Sequence, residues 1–178
     1  MDDGALKVPK RQVPVMLWVH PEGRVVGSMF VHLPGPDSMP GEQPWDVINE
    51  AADFVAIKLD DPDEMRFYNK SSIVRIEYRD GASSLLAEGR PLPCMLTMMD
   101  GSLIEGDICK ATPVERSRLY DYMNDTAERF LKLRSRGVDV LLVNKSYVVH
   151  IRAVDAGALA ASGADGGIAA REPLALVA

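Results

Sequence analysis

The sequence predicts a mainly β protein built from two small barrels in tandem, each with the order β-β-α-β-β-β. Three observations predict it. First, Phe67-Tyr68-Asn69-Lys70-Ser71-Ser72-Ile73-Val74-Arg75-Ile76 returns as Leu142-Val143-Asn144-Lys145-Ser146-Tyr147-Val148-Val149-His150-Ile151, and self-similarity at a fixed spacing marks a duplicated structural unit. Asp46 and Asn49 recur at the same spacing as Asp121 and Asn124, while Val13-Pro14-Val15-Met16-Leu17 recurs at a slightly larger one as Leu92-Pro93-Cys94-Met95-Leu96. Second, each copy alternates short β-branched and aromatic runs with tight-turn residues, the pattern of short strands. Third, 178 residues suit one domain or two small ones, and the duplication favours two. The copies span 13–79 and 92–154, with an arm at 1–12, a linker at 80–91 and a tail at 155–178.

In the first copy, Val13 to Val19 is a strand by its β-branched and aromatic content. His20-Pro21-Glu22-Gly23 turns the chain, and Val25 to Leu33 returns as a second strand with Gly27 at a bulge or bend. Leu33 to Pro44 carries four prolines and two glycines and reads as a loop. Trp45, Ile48 and Ala52 share one face of a short helix over 45–52. Strands follow at Phe54 to Leu59, Met65 to Tyr68 and Ser71 to Tyr78, with Asp60-Asp61-Pro62-Asp63 turning between the first two.

The second copy repeats this order. Pro93 to Met99 and Leu103 to Ala111 flank Asp100-Gly101, a strong hairpin signal. Leu119, Met123, Ala127 and Phe130 align along a helix expected over 117–128. Phe130 to Leu133, Val138 to Val143 and Tyr147 to Val154 complete the strands. Five short strands favour a highly curved, closed sheet, because short open sheets expose unpaired edges. The Ala/Gly-rich tail has no period and little bulk to bury, so disorder is expected there.

Net charge is −6 and apolar content 47%. A global basic footprint for gripping phosphate backbones is missing. No apolar run approaches the ~20 residues that span a bilayer. Met1-Asp2-Asp3-Gly4 opens acidic with no apolar stretch after it, so a cytoplasmic location and no membrane partner are expected. Cys94 and Cys109 lie on opposite arms of one predicted hairpin. A disulfide is open to them, but a reducing compartment favours buried thiols.

The series Leu96, Asp100-Gly101, Ile104, Gly106, Asp121-Tyr122-Met123-Asn124 and Val143-Asn144-Lys145-Ser146 resembles the Sm/LSm family of small β-barrels. The first copy shows Leu17, Glu22-Gly23, Val26, Gly27, Asp46-Val47-Ile48-Asn49 and Tyr68-Asn69-Lys70 in the same order. The resemblance implies tandem Sm-like (broadly SH3-like) barrels and a habit of ring assembly. It also implies RNA contact from the Asp…Asn loop and the hairpin tip, where Asn-Lys replaces the family's Arg-Gly.

Candidate binding residues are Asp46, Asn49, Asn69, Lys70, Asp121, Asn124, Asn144 and Lys145. Asp and Asn equally make local bonds that cap helices and satisfy backbone, and Asn-Lys equally serves a turn with an exposed cation. His20, His32 and His150 fall in no metal-ligand or catalytic spacing. No catalytic residue, metal or cofactor is expected. Arg116, Arg118, Lys132, Arg134 and Arg136 make the second copy locally basic, where the first has Asp60, Asp61, Asp63 and Glu64. Head-to-tail assembly would bring such opposite charges together.

The expected function is a non-enzymatic assembly or scaffold protein. Its partner would be a second copy of itself or another protein, gained by adding Val148 to Ile151 to an exposed strand edge, and three chains would supply six barrels to a ring. The alternative is an RNA-binding regulator using the Asp-x-x-Asn and Asn-Lys loops, which the net charge disfavours. An enzyme comes last, since nucleophile, base and stabiliser do not assemble from these motifs.

Overall fold

The computed structural model describes residues 10–33, 41–79, 91–108, 119–135 and 139–154. The first half runs β1 (Lys10–Val19), β2 (Gly23–His32), α1 (Pro44–Asn49), β3 (Phe54–Leu59), β4 (Met65–Asn69) and β5 (Ile73–Arg79). The second runs β6 (Leu92–Met98), β7 (Leu103–Ile108), α2 (Leu119–Asn124), β8 (Phe130–Arg134), β9 (Asp139–Asn144) and β10 (Val148–Ala153). The order β-β-α-β-β-β therefore occurs twice. A single 3-10 turn, Lys70–Ser72 or Lys145–Tyr147, precedes the last strand of each half.

Two closed sheets are not what forms. All ten strands join one open antiparallel sheet in the order β10-β6-β7-β8-β9-β5-β1-β2-β3-β4. The halves meet where β5 pairs with β9, Arg75 opposite Val143 and Ile76 opposite Leu142. Each half leaves one strand edge facing the other, and pairing the two satisfies their backbone groups without closure. The remaining edges, β4 and β10, bound the sheet.

Internal symmetry extends to irregularities. Ile73 and Arg75 pair with consecutive residues of β1, so Val74 is extra; Val148 and His150 do the same against β6, making Val149 extra. Such bulges bend a strand and sharpen its twist. Gly23 and Gly101 turn their hairpins at φ 93 and 80, a region that side chains disfavour. Asp100 assists, its carboxylate accepting from the Ser102 N–H at 2.9 Å.

Gly27 and Gly106 are equivalent and answer to close approach. A Cβ on Gly27 would sit 2.5 Å from the Lys58 carbonyl oxygen, and one on Gly106 2.8 Å from that of Arg134. Strand β2 can bend onto β3, and β7 onto β8, only where no side chain intervenes.

The helices are shorter than their periodicity implies. α2 ends at Asn124, where Asp125 accepts from the Ala127 N–H at 3.0 Å, a side-chain bond that competes with helix continuation. Phe130 consequently opens a strand and does not share a helix face with Leu119 and Met123. α1 ends at Asn49, short of Ala52. The tail, most of the arm and linker, Cys109, Arg116, Arg118 and Arg136 lie outside the described residues.

Two hydrophobic cores result. The first gathers Leu17, Met29, Ile48, Ile57, Ile73 and Ile76 from the first half, and also Phe130, Val140 and Leu142 from the second. The second gathers Cys94, Leu96, Ile104, Tyr122, Leu133 and Val143, with Val74 of the first half packed against it. Cys94 is a free, buried thiol, and burial, reinforced by Asp107, pushes its pKa up to about 12.

Two outcomes are expected. Gly27→Val lowers stability by about 1–3 kcal/mol, read as an earlier urea midpoint, whereas Ser28→Ala moves it little; equal shifts would contradict the close-approach account. In a Cys109→Ser background, Cys94 resists iodoacetamide at pH 8 and reacts once urea unfolds the chain, because the thiolate is the nucleophile. Rapid native labelling would contradict its burial.

Candidate functional site

Both Asn-Lys tips are built into the fold. The Asn69 and Asn144 side-chain oxygens accept from the Ser71 and Ser146 N–H groups at 2.8 and 3.0 Å, shaping the two 3-10 turns. Lys70 is buried, and its Nζ donates to the carbonyls of Val47 and Glu50, both at 2.9 Å. Those carbonyls lie at the C-terminal end of α1, where a cation is favoured. Lys145 makes the equivalent bond to Asp125 O at 2.7 Å. Desolvation holds the Lys70 ammonium below the ordinary lysine range, with Glu50 opposing.

Asp46 sits in the first turn of α1, its carboxylate accepting from the Gln43 N–H at 2.8 Å, and Asp121 occupies the matching place in α2. Asn49 and Asn124 each donate back to the carbonyl four residues earlier, that of Trp45 or Tyr120. Asn49 also reaches the other half. Its oxygen accepts from the Phe130 N–H at 2.8 Å, and its Nδ2 lies 3.4 Å from the Phe130 oxygen.

Asn144 spans the seam from the other side. Its buried Nδ2 donates to Lys70 O at 3.3 Å and Ile73 O at 2.9 Å. Arg129 faces Asp53 across the same seam, Nη2 to Oδ1 3.6 Å. Of the eight predicted residues, then, Asn49, Lys70 and Asn144 meet around the junction through backbone groups.

The seam's chemistry is repeated at β4 and β10, where no further strand pairs among the described residues. Phe130, Val140 and Leu142, which cross the seam into the first core, are 0, 6 and 0% exposed. Their counterparts in the first half, Phe54, Met65 and Phe67, are 57, 43 and 70% exposed. Val74 packs across the seam, while its counterpart Val149 is 60% exposed. Ile48 and Ile76 are fully buried, but the matching Met123 and Ile151 are only half-buried. Side chains of this size each gain about 1.5–3 kcal/mol when fully buried.

These edge residues escaped the reading by motif. A signal existed: strands buried on both faces read as near-continuous apolar runs, as in Val140-Leu141-Leu142-Val143, and Met65-Arg66-Phe67-Tyr68 keeps that character on an exposed edge.

A cleft of about 680 Å³ opens at the seam, lined by Trp18, His20, Arg75, Met98, Met99 and Tyr147 among others. The Arg75 guanidinium stacks over the Trp18 ring at 3.9 Å, a cation–π contact, and the Tyr147 hydroxyl donates to Ser71 O at 3.1 Å. Among the described residues no three His, Cys, Asp or Glu side chains group as metal ligands, and no helix is long and apolar enough to cross a membrane. Comparison with protein-family models, curated proteins and solved structures finds no match to this chain.

Lys70→Met, which keeps the stem but strands two carbonyls, is expected to cost about 1–3 kcal/mol in urea unfolding. The exposed Lys10→Met stays within about 0.5 kcal/mol. Equal effects would mean that the Lys70 bonds do not support the fold.

Proposed function

We propose that this protein is a non-enzymatic assembly or scaffold protein that self-associates through the edges of two tandem Sm-like small barrels. In this reading each half is one strongly bent barrel, left open on the side where its neighbour's strand completes it. One observation supports the proposal: the chain joins its two halves edge to edge through β5 and β9, and β4 and β10, the counterparts of those strands, end the sheet. Exposed edges with apolar side chains favour strand addition.

The RNA-binding alternative would use the Asp-x-x-Asn and Asn-Lys loops. It draws less support, because the Lys70 and Lys145 ammonium groups donate to backbone carbonyls. A phosphate would have to displace those bonds. Single-strand binding also relies on a positive groove, and the net charge is −6.

Native mass spectrometry of the full chain at micromolar concentration, with and without nuclease, is expected to give a discrete multiple of the chain mass, unchanged by nuclease. A three-chain, six-barrel ring is the expected multiple. A strict monomer would refute self-association, and a nuclease-dependent mass would favour the RNA reading.

A further inference from the structure

We infer that β10 of one copy pairs antiparallel with β4 of the next, head to tail, in the register already used between β5 and β9. This inference rests on the self-association proposed above and specifies its interface. Within the chain Arg75 faces Val143 and Ile76 faces Leu142. Advancing β5 and setting back β9 by the repeat spacing places His150 opposite Tyr68, and Ile151 opposite Phe67, of the neighbouring copy.

The side chains agree with that register. Phe54, Met65 and Phe67 of the neighbour enter the second core as Phe130, Val140 and Leu142 enter the first. The second core is where Met123 and Ile151 remain half-buried, so the incoming residues cover what is uncovered. Val149, the extra residue of its bulge, packs on the neighbour as Val74 does within the chain.

Polar groups repeat in the same way. Among the described residues only the Asn69 side-chain oxygen is engaged, by the Ser71 N–H, whereas the Asn144 Nδ2 also donates to Lys70 O and Ile73 O. In the new seam Asn69 meets the equivalent carbonyls, those of Lys145 and Val148 of the adjoining copy. Asn124 takes the place of Asn49 and meets the backbone of Phe54. Arg129 and Asp53 exchange roles, so their attraction is kept.

Pairing like edges does none of this. Two β4 edges would bring together exposed Phe54 and Phe67 but leave Met123 and Ile151 uncovered. Head-to-tail contact is heterologous, and it closes into a ring or extends as a filament according to its rotation.

Two substitutions in the new seam weaken it relative to the inner one. Ser72 replaces Tyr147, whose hydroxyl bonds to Ser71 O. Arg66 faces Arg152 where the inner seam sets Leu141 against Glu77, although Glu22 and Glu64 already pair with Arg66. The assembly therefore dissociates into intact chains before the halves part.

The test uses two full-length variants with opposite edges blocked, Phe54→Asp/Phe67→Asp and Val149→Asp/Asn124→Ala, with circular dichroism verifying that each is folded. Each alone is expected to be monomeric by native mass spectrometry, and an equimolar mixture to give a mixed dimer and nothing larger. In a Cys109→Ser background, Phe67→Cys with Ile151→Cys is expected to oxidise to a reducible ladder of multimers, at least tenfold faster than Phe67→Cys with Ala153→Cys. Homodimers of either blocked variant, or faster crosslinking of the offset pair, would overturn the head-to-tail register while leaving self-association intact. A monomeric unmodified protein would instead overturn self-association itself.

Discussion

The pairing of β5 with β9 is the constraint on which the rest depends. A strand edge is a row of unpaired amides and carbonyls, and two halves of like design each carry two. Joining one edge from each makes a single open sheet of ten strands. It also decides which side chains can be apolar. Strands β8 and β9 are covered on both faces, so Phe130, Val140 and Leu142 belong to one core while Leu131, Leu133, Leu141 and Val143 belong to the other. The halves cannot be separated without opening the first core.

The polar residues repeated in both halves serve that joint. Asn144 holds carbonyls of the first half, Asn49 holds the start of β8, and Lys70 ties the end of α1 to the turn before β5. A buried amide with both donors and its acceptor used fixes a geometry that apolar packing alone would not. A buried lysine is tolerable because its ammonium finds two carbonyls, and desolvation still lowers its pKa. These residues act as spacers and clamps between backbone segments.

Much of the fold was legible. Strand β3 falls where its apolar run places it, and Asp100-Gly101 turns where its chemistry demands. Helix length was not, because Asp125 bonds locally and stops α2 before Phe130. The candidate site was legible in part. Repetition singled out Asn49, Lys70 and Asn144, but each also bonds backbone groups 20 to 81 residues away, which no local pattern encodes. Phe54, Met65, Phe67 and Val149 carried a signal only by comparison with their more covered counterparts in the other half, Phe130, Val140, Leu142 and Val74.

By itself the sequence determined the duplication, the strand and turn chemistry, and the glycines where strands must approach closely, because these depend on short-range sterics and hydrogen bonding. Only the tertiary structure decided that the halves share one sheet and that one seam is filled while its equivalent edges pair with no strand among the described residues. Edge pairing joins residues far apart in the chain, and the same apolar side chain is core or surface according to whether a neighbouring strand covers it.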